Sequence, residues 1–162
     1  MASSVIHICV AKKVIEKLNI LDKTIYLGSI APDINKYLCK NRCDSHFIIN
    51  NEISLNKFLN KYKDKLDKGF MLGYYIHLYT DYIWYKYFTV KIINDNYIYL
   101  KDGTKVINNK ENYSKYIYKN YDNLDSVLIN EYKLDLSYFN EEFKIYDIYM
   151  EEISLNKINL FV

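Results

Sequence analysis

A chain of 162 residues with no long polar or Gly/Ser tract can bury about 70% of its unfolded surface in one core, so a single domain over residues 1–162 is expected. Its 22 basic and 20 acidic residues are interspersed and leave a net charge of +2, which excludes the basic face that would point to nucleic acid. Met1-Ala2-Ser3-Ser4-Val5-Ile6-His7 lacks a basic leader and apolar run, no stretch reaches the roughly 20 apolar residues of a membrane span, and three cysteines, an odd number, argue against a disulfide framework, so a cytoplasmic protein with no transmembrane segment is expected.

Helical period prevails along the chain. Residues 3–19 open on Ser3/Ser4 and place Val5, Ile6, Cys9, Val10, Val14 and Leu18 at three- and four-residue spacing, an amphipathic helix that carries His7. Residues 23–42 read as an irregular connector, broken at Gly28, in which Pro32 fixes its own φ and holds Asp33 at a turn or helix start. Residues 51–66 return to helix. Residues 68–88 are apolar nearly all round, which predicts a helix through the centre of the domain. Residues 90–107 are β-branched and aromatic around Lys101-Asp102-Gly103-Thr104, the pattern of a small hairpin with a tight Asp-Gly turn. Residues 109–132 and 138–158 are again helical, the first with a break at Tyr121-Asp122-Asn123. The expected fold class is therefore all-α, a multi-helix bundle with one hairpin near 90–107.

Chemistry concentrates in three short segments that hold all three histidines. The chain is rich in Ile, Asn, Lys and Tyr (19 of the last), residues with A/T-rich codons. The scarce Pro32, Gly28, Gly69, Gly73 and Trp84 nevertheless lie in or beside those segments. His77 and Asp81, four apart on one helical face, can bind one ion together, and Gly69 and Gly73 on the same stripe allow another backbone to approach. A hydrogen-bonded core histidine and plain helix packing are the competing reading. Asp33 and His46 complete a set of two imidazoles and two carboxylates that suits a zinc ion. If Asp81 bridges with its second oxygen, His7 serves a neighbouring ion, and such a pair can clamp a phosphate ester; a buried histidine near a helix start is the alternative for His7. Cys39, Cys43 and His46 form Cys-x3-Cys-x2-His, which lacks a fourth ligand at matching spacing and reads as unpaired thiols. Trp84 either shields the site or packs between helices.

His7 near the first helix, Asp33 in Gly-Ser-Ile-Ala-Pro-Asp, Ser45-His46-Phe47 and Gly73-Tyr-Tyr-Ile-His77-Leu-Tyr-Thr-Asp81 together resemble the bacterial zinc-dependent phospholipases C, including the enzymatic domain of alpha-toxin, with the single-strand-specific zinc nucleases as more distant relatives. The resemblance covers about the first 88 residues. It implies an all-α phospholipase C/nuclease-like bundle that binds up to three zinc ions and hydrolyses phosphodiesters through a metal-activated water. It also implies that Asp33, His46, His77 and Asp81 hold one ion and His7 with Asp81 another. Secreted members use the amine of the processed N-terminus as a ligand and carry two further histidines with a glutamate, but this chain has no fourth histidine. Asp122 and Asp125 could supply replacement oxygens from a later helix or serve as a simple helix cap.

The resulting expectation is a zinc-dependent hydrolase of a phosphate ester, phospholipid being one candidate substrate, with one or two zinc ions and Asp33 as the residue that orients or deprotonates the attacking water. Two alternatives remain open: a non-catalytic helical protein with a structural zinc, and a lipid- or partner-binding module of the same fold.

Overall fold

Ser3 opens the first helix, α1 (Ser4–Leu18): its hydroxyl accepts from Ile6 N, and Asn19 ends the helix in the left-handed conformation at φ 53°, which asparagine tolerates. The computed structural model describes residues 2–38, 41–140 and 148–153. There follow α2 (Thr24–Ile30), a 3-10 turn Ala31–Asp33, α3 (Ile34–Tyr37) and α4 (Arg42–Ser45). A two-residue hairpin of β1 (Ile48–Ile49) and β2 (Glu52–Ile53) leads into α5 (Leu55–Tyr62). The central helix α6 (Gly69–Trp84) continues through a π-helical turn, Tyr85–Thr89, into α7 (Val90–Ile92). A second hairpin, β3 (Tyr97–Tyr99) with β4 (Lys105–Ile107), precedes α8 (Lys110–Tyr113), a second π-helical turn, Ser114–Tyr118, and α9 (Lys119–Glu131). Helix dominates and the strands form only two small antiparallel pairs, which is the all-α class that the periodicity predicts.

The core gathers around α6. Phe70, Met71, Tyr74 and Leu78 pack with Leu27 of α2, Phe58 of α5 and Phe47 of the turn after α4, so the helix that is apolar all round does run through the middle. Gly28 and Gly73 allow α2 to lie directly on it. A Cβ on Gly73 would fall 2.1 Å from Ile25 O, and one on Gly28 would fall 2.0 Å from Phe70 O, distances no real methyl occupies. Gly69 plays a different part. Its amide donates to Asp22 Oδ2 (2.9 Å), and Asp22 Oδ1 accepts from Thr24 N (3.0 Å), so one carboxylate serves the first turns of two helices.

Several expected elements differ. The connector at 23–42 is largely helical, because Ile25, Leu27, Gly28 and Ser29 are buried against α6 and packing overrides the weak local propensity of a Gly-interrupted, β-branched stretch. No break occurs at Tyr121-Asp122-Asn123, since α9 runs through it. The irregularity sits earlier, at the π-helical turn, where the Asn120 side-chain amide binds Tyr116 O. Of the helix expected over 138–158, Ser137–Asn140 is a 3-10 turn and 148–153 is non-helical; the rest lies outside the described residues. Segment 148–153 is instead pinned to the body: Met150 and Ile153 enter the core, Asn35 Nδ2 donates to Glu152 O (2.9 Å), Tyr62 Oη donates to Glu152 Oε2 (2.7 Å), and Lys61 Nζ reaches both Glu151 and Glu152 at 2.7 Å. The β1–β2 hairpin was not expected; Asn50 and Asn51, at φ 51° and 65°, make the two-residue turn with positive φ that matches strand twist.

Candidate metal centre

Four elements deliver five side chains to one buried place. α1 carries His7, the 3-10 turn with Pro32 carries Asp33, the residue after α4 is His46, and α6 supplies His77 and Asp81 one turn apart. The three histidines are fully buried and Asp81 is nearly so, whereas the Asp33 side chain keeps 23% of its exposure. His46 is set by strain and packing together. The next residue, Phe47, is held at φ 54°, unusual for an aromatic residue, and its ring is fully buried against Phe58, Tyr62 and Tyr74.

Hydrogen bonds fix which ring nitrogen faces inward. His77 Nδ1 lies 2.8 Å from Ser29 O, and a carbonyl only accepts, so Nδ1 carries the proton and Nε2 presents a lone pair. His46 Nδ1 lies 3.0 Å from Ser45 Oγ and 3.3 Å from Arg42 O, which turns its Nε2 toward the centre. These two Nε2 atoms are 3.2 Å apart. His46 Nε2 is also 3.4 Å from Asp33 Oδ1 and 3.7 Å from Asp81 Oδ2, and His77 Nε2 is 3.8 Å from Asp81 Oδ2. His7 stacks on His77 with centroids 3.8 Å apart and places Nε2 3.4 Å from Asp81 Oδ1. Both of its ring nitrogens are buried with no hydrogen-bond partner, a costly state in a protein interior.

Imidazole nitrogens and carboxylate oxygens grouped in this way can hold a cation. Nitrogen ligands about 2.0–2.1 Å from a tetrahedral zinc stand roughly 3.3 Å apart, close to the spacing of the two Nε2 atoms, so the donor set fits the ion. His7 with His77 and Asp81, and Asp33 with His46 and His77, form two groups whose ligand atoms lie within 4.8 Å of one another. The electrostatics agree. Burial pushes the His77 imidazole down, helped by the His7 ring, to about 3, so it stays neutral.

Asp81 carries further partners. Its Oδ1 accepts from Ala2 N at 2.9 Å, which brings the start of the chain to the site, and its Oδ2 lies 3.3 Å from Arg42 Nη2. Sequence reasoning missed Arg42, Ser29 and Ala2; the available signal was that Arg42 is the chain's single arginine and stands four residues before His46. Asp122 and Asp125 enter neither group: Asp125 accepts from the Ser3 hydroxyl at the start of α1, and the Asp122 side chain is exposed. Cys43 is a free, exposed thiol, as Cys9 is a free, buried one, and Cys39 lies outside the described residues. Trp84 stacks on Phe88 (4.7 Å) and donates to Tyr121 Oη (2.9 Å).

Beside Asp81 and Arg42 opens a cleft of about 590 Å³ whose walls include Ile48, Ile53, Tyr82 and Val90. No helix among the described residues is long and apolar enough to cross a membrane. Neither the curated proteins nor the solved structures contain a match to the chain. From residue 6 to residue 160, however, its sequence matches the family described as zinc dependent phospholipase C; with that match over nearly the whole length, and with a histidine–aspartate centre suited to zinc, the chain belongs to the zinc-dependent phospholipase C family.

Proposed function

We propose that this protein is a phosphoric ester hydrolase acting on a phosphodiester of phospholipid type. The observation that carries this reading is the set of imidazole nitrogens and carboxylate oxygens that converge beside an open cleft. Zinc, one or two ions, would be held by Asp33, His46, His77 and Asp81, with His7 and the second oxygen of Asp81 for a further ion, and would supply Lewis acidity toward a phosphoryl oxygen and a water of lowered pKa. The chain's own groups do the rest. Ser29 O and Arg42 O orient the two imidazoles, as outer partners of metal ligands generally do. Asp33, the most open of the five, orients the attacking water and takes its proton. The surrounding buried rings keep bulk water from the centre, which strengthens each charge interaction within it.

The test is zinc content by plasma mass spectrometry on wild type and on His77→Ala, beside hydrolysis of chromogenic phosphodiesters. Zinc in the wild type that is lost from the variant, together with zinc-dependent turnover, supports the proposal. The burial of four of the five side chains favours a second reading, a structural zinc that ties α1, the Pro32 turn and α6 together; zinc-dependent melting without turnover of any phosphoester would select it.

A further inference from the structure

Arg42 stands between the candidate metal centre and the cleft beside it. Its backbone carbonyl orients His46, while its side chain turns the other way, to within 3.3 Å of Asp81 Oδ2, and remains 36% exposed in the wall of the 590 Å³ cleft. Its Nη2 meets Asp81 and its Nε is buried without a hydrogen-bond partner, so the exposed part of the guanidinium is its outer edge. Lys86, held to Tyr82 Oη at 3.3 Å, stands in the same wall, and the other lining includes the apolar side chains Ile48, Ile53 and Val90. The cleft therefore presents Arg42 beside Asp81 of the histidine–aspartate centre, and Glu52 and Asn51 share the rest of its wall with Lys86 and the apolar side chains.

We infer that Arg42 is the phosphate-binding residue of this cleft, and that the cleft takes an amphiphilic phosphate ester with its phosphate on the guanidinium and its apolar arm along Ile48, Ile53 and Val90. This rests on the hydrolase reading above and deepens it. In the structure Arg42 faces the carboxylate of Asp81. Once that carboxylate is committed to a cation together with His7, His46 and His77, the guanidinium has charge to offer an incoming anion. Its planar fork matches two oxygens of a phosphate, a geometry that a lysine ammonium lacks. Lysine at position 42 would keep the charge and lose the fork.

The single arginine makes the test direct. The zinc-loaded wild-type protein is treated with phenylglyoxal, and the adduct on Arg42 is followed by mass spectrometry in chloride, in inorganic phosphate and in hexyl phosphate at matched ionic strength. The expected result is modification slowed at least fivefold by phosphate, with hexyl phosphate giving the same protection at one tenth of the concentration or less. Equal rates in chloride and phosphate overturn the assignment of Arg42; equal potency of the two phosphates overturns the apolar arm. Arg42→Lys, with zinc content and melting temperature unchanged, is expected to bind hexyl phosphate at least tenfold more weakly by calorimetry, and wild-type affinity in that variant also overturns the assignment. Protection of Arg42 in a protein that hydrolyses no phosphoester leaves the anion site standing and removes the proposed activity, whereas turnover without protection removes only the role of Arg42.

Discussion

Asp33 differs from the other four ligand candidates in being partly open to solvent, and that difference is the ground for the proton-handling task proposed for it. Asp33→Asn keeps the shape and an oxygen but removes the base. Turnover is expected to fall about 10²- to 10⁴-fold with zinc retained, and full activity with metal bound would end that role. His77 makes the centre sensitive to acid. Its folded-state pKa of about 3 lies below the roughly 6.5 of an unfolded histidine, so between these values the unfolded chain binds a proton that the folded chain refuses, and stability falls as pH falls. For the metal-free protein the slope reaches about 1.4 kcal/mol per pH unit across the window from 6.5 toward 4, and denaturant titration at several pH values measures it. A His77→Gln protein should lose most of that slope. The inward orientation of both Nε2 atoms is a residue-scale fact that no sequence pattern discloses, because it depends on the carbonyls of Ser29 and Arg42, each distant in the chain or oriented only after folding.

At the scale of elements, the contact of α2 with α6 carries the site. Gly73→Ala would drive a methyl into Ile25 O, and overpacking of this kind costs about 3 kcal/mol. Because Ser29 follows Ile25 on the same helix, the shift also loosens the bond to His77 Nδ1. The expected outcome is a lower melting temperature together with weaker zinc binding, read by differential scanning fluorimetry and a competing chelator. The segment at 148–153 is held just as specifically. Met150→Ala removes a side chain that is 3% exposed, and about 2–5 kcal/mol of stability should go with it, although the segment is remote in sequence from the core it enters. The α6 pattern was legible because a long apolar helix needs no partner to identify it. α2 was not, since seven residues containing a glycine carry little local signal and take helical form from what they cover. The Tyr121-Asp122-Asn123 break was misread for the opposite reason: exposed polar side chains on a helix surface look like a stop when the face they leave bare is not yet known.

For the whole molecule, the centre joins α1, the Pro32 turn, the residue after α4 and α6, so a ligand that binds there binds only the folded state. Zinc at a free concentration of 1,000 times its dissociation constant would add about 4 kcal/mol. For a chain of 162 residues removal by chelator should lower the melting temperature by roughly 10 °C, as calorimetry on the same sample before and after treatment can show; an unchanged melting temperature would separate the metal from the fold. The grouping of the candidate ligands His7, Asp33, His46, His77 and Asp81 was legible from the sequence because their types and setting are so rare in this composition. The cleft beside them was not, because Ile48, Ile53 and Val90 come from a hairpin and a helix end whose proximity only the fold creates. One feature also bears on how such a chain can change over time. Asp22 meets Gly69, Ile25 meets Gly73 and Ser29 meets His77, so two parallel helices keep step one turn at a time. An inserted residue turns a helix by about 100° and advances it by 1.5 Å. Lengths between 22 and 29 and between 69 and 77 are therefore locked to one another, and surviving insertions and deletions should collect in the loops and the hairpin tip at Asp102-Gly103 instead.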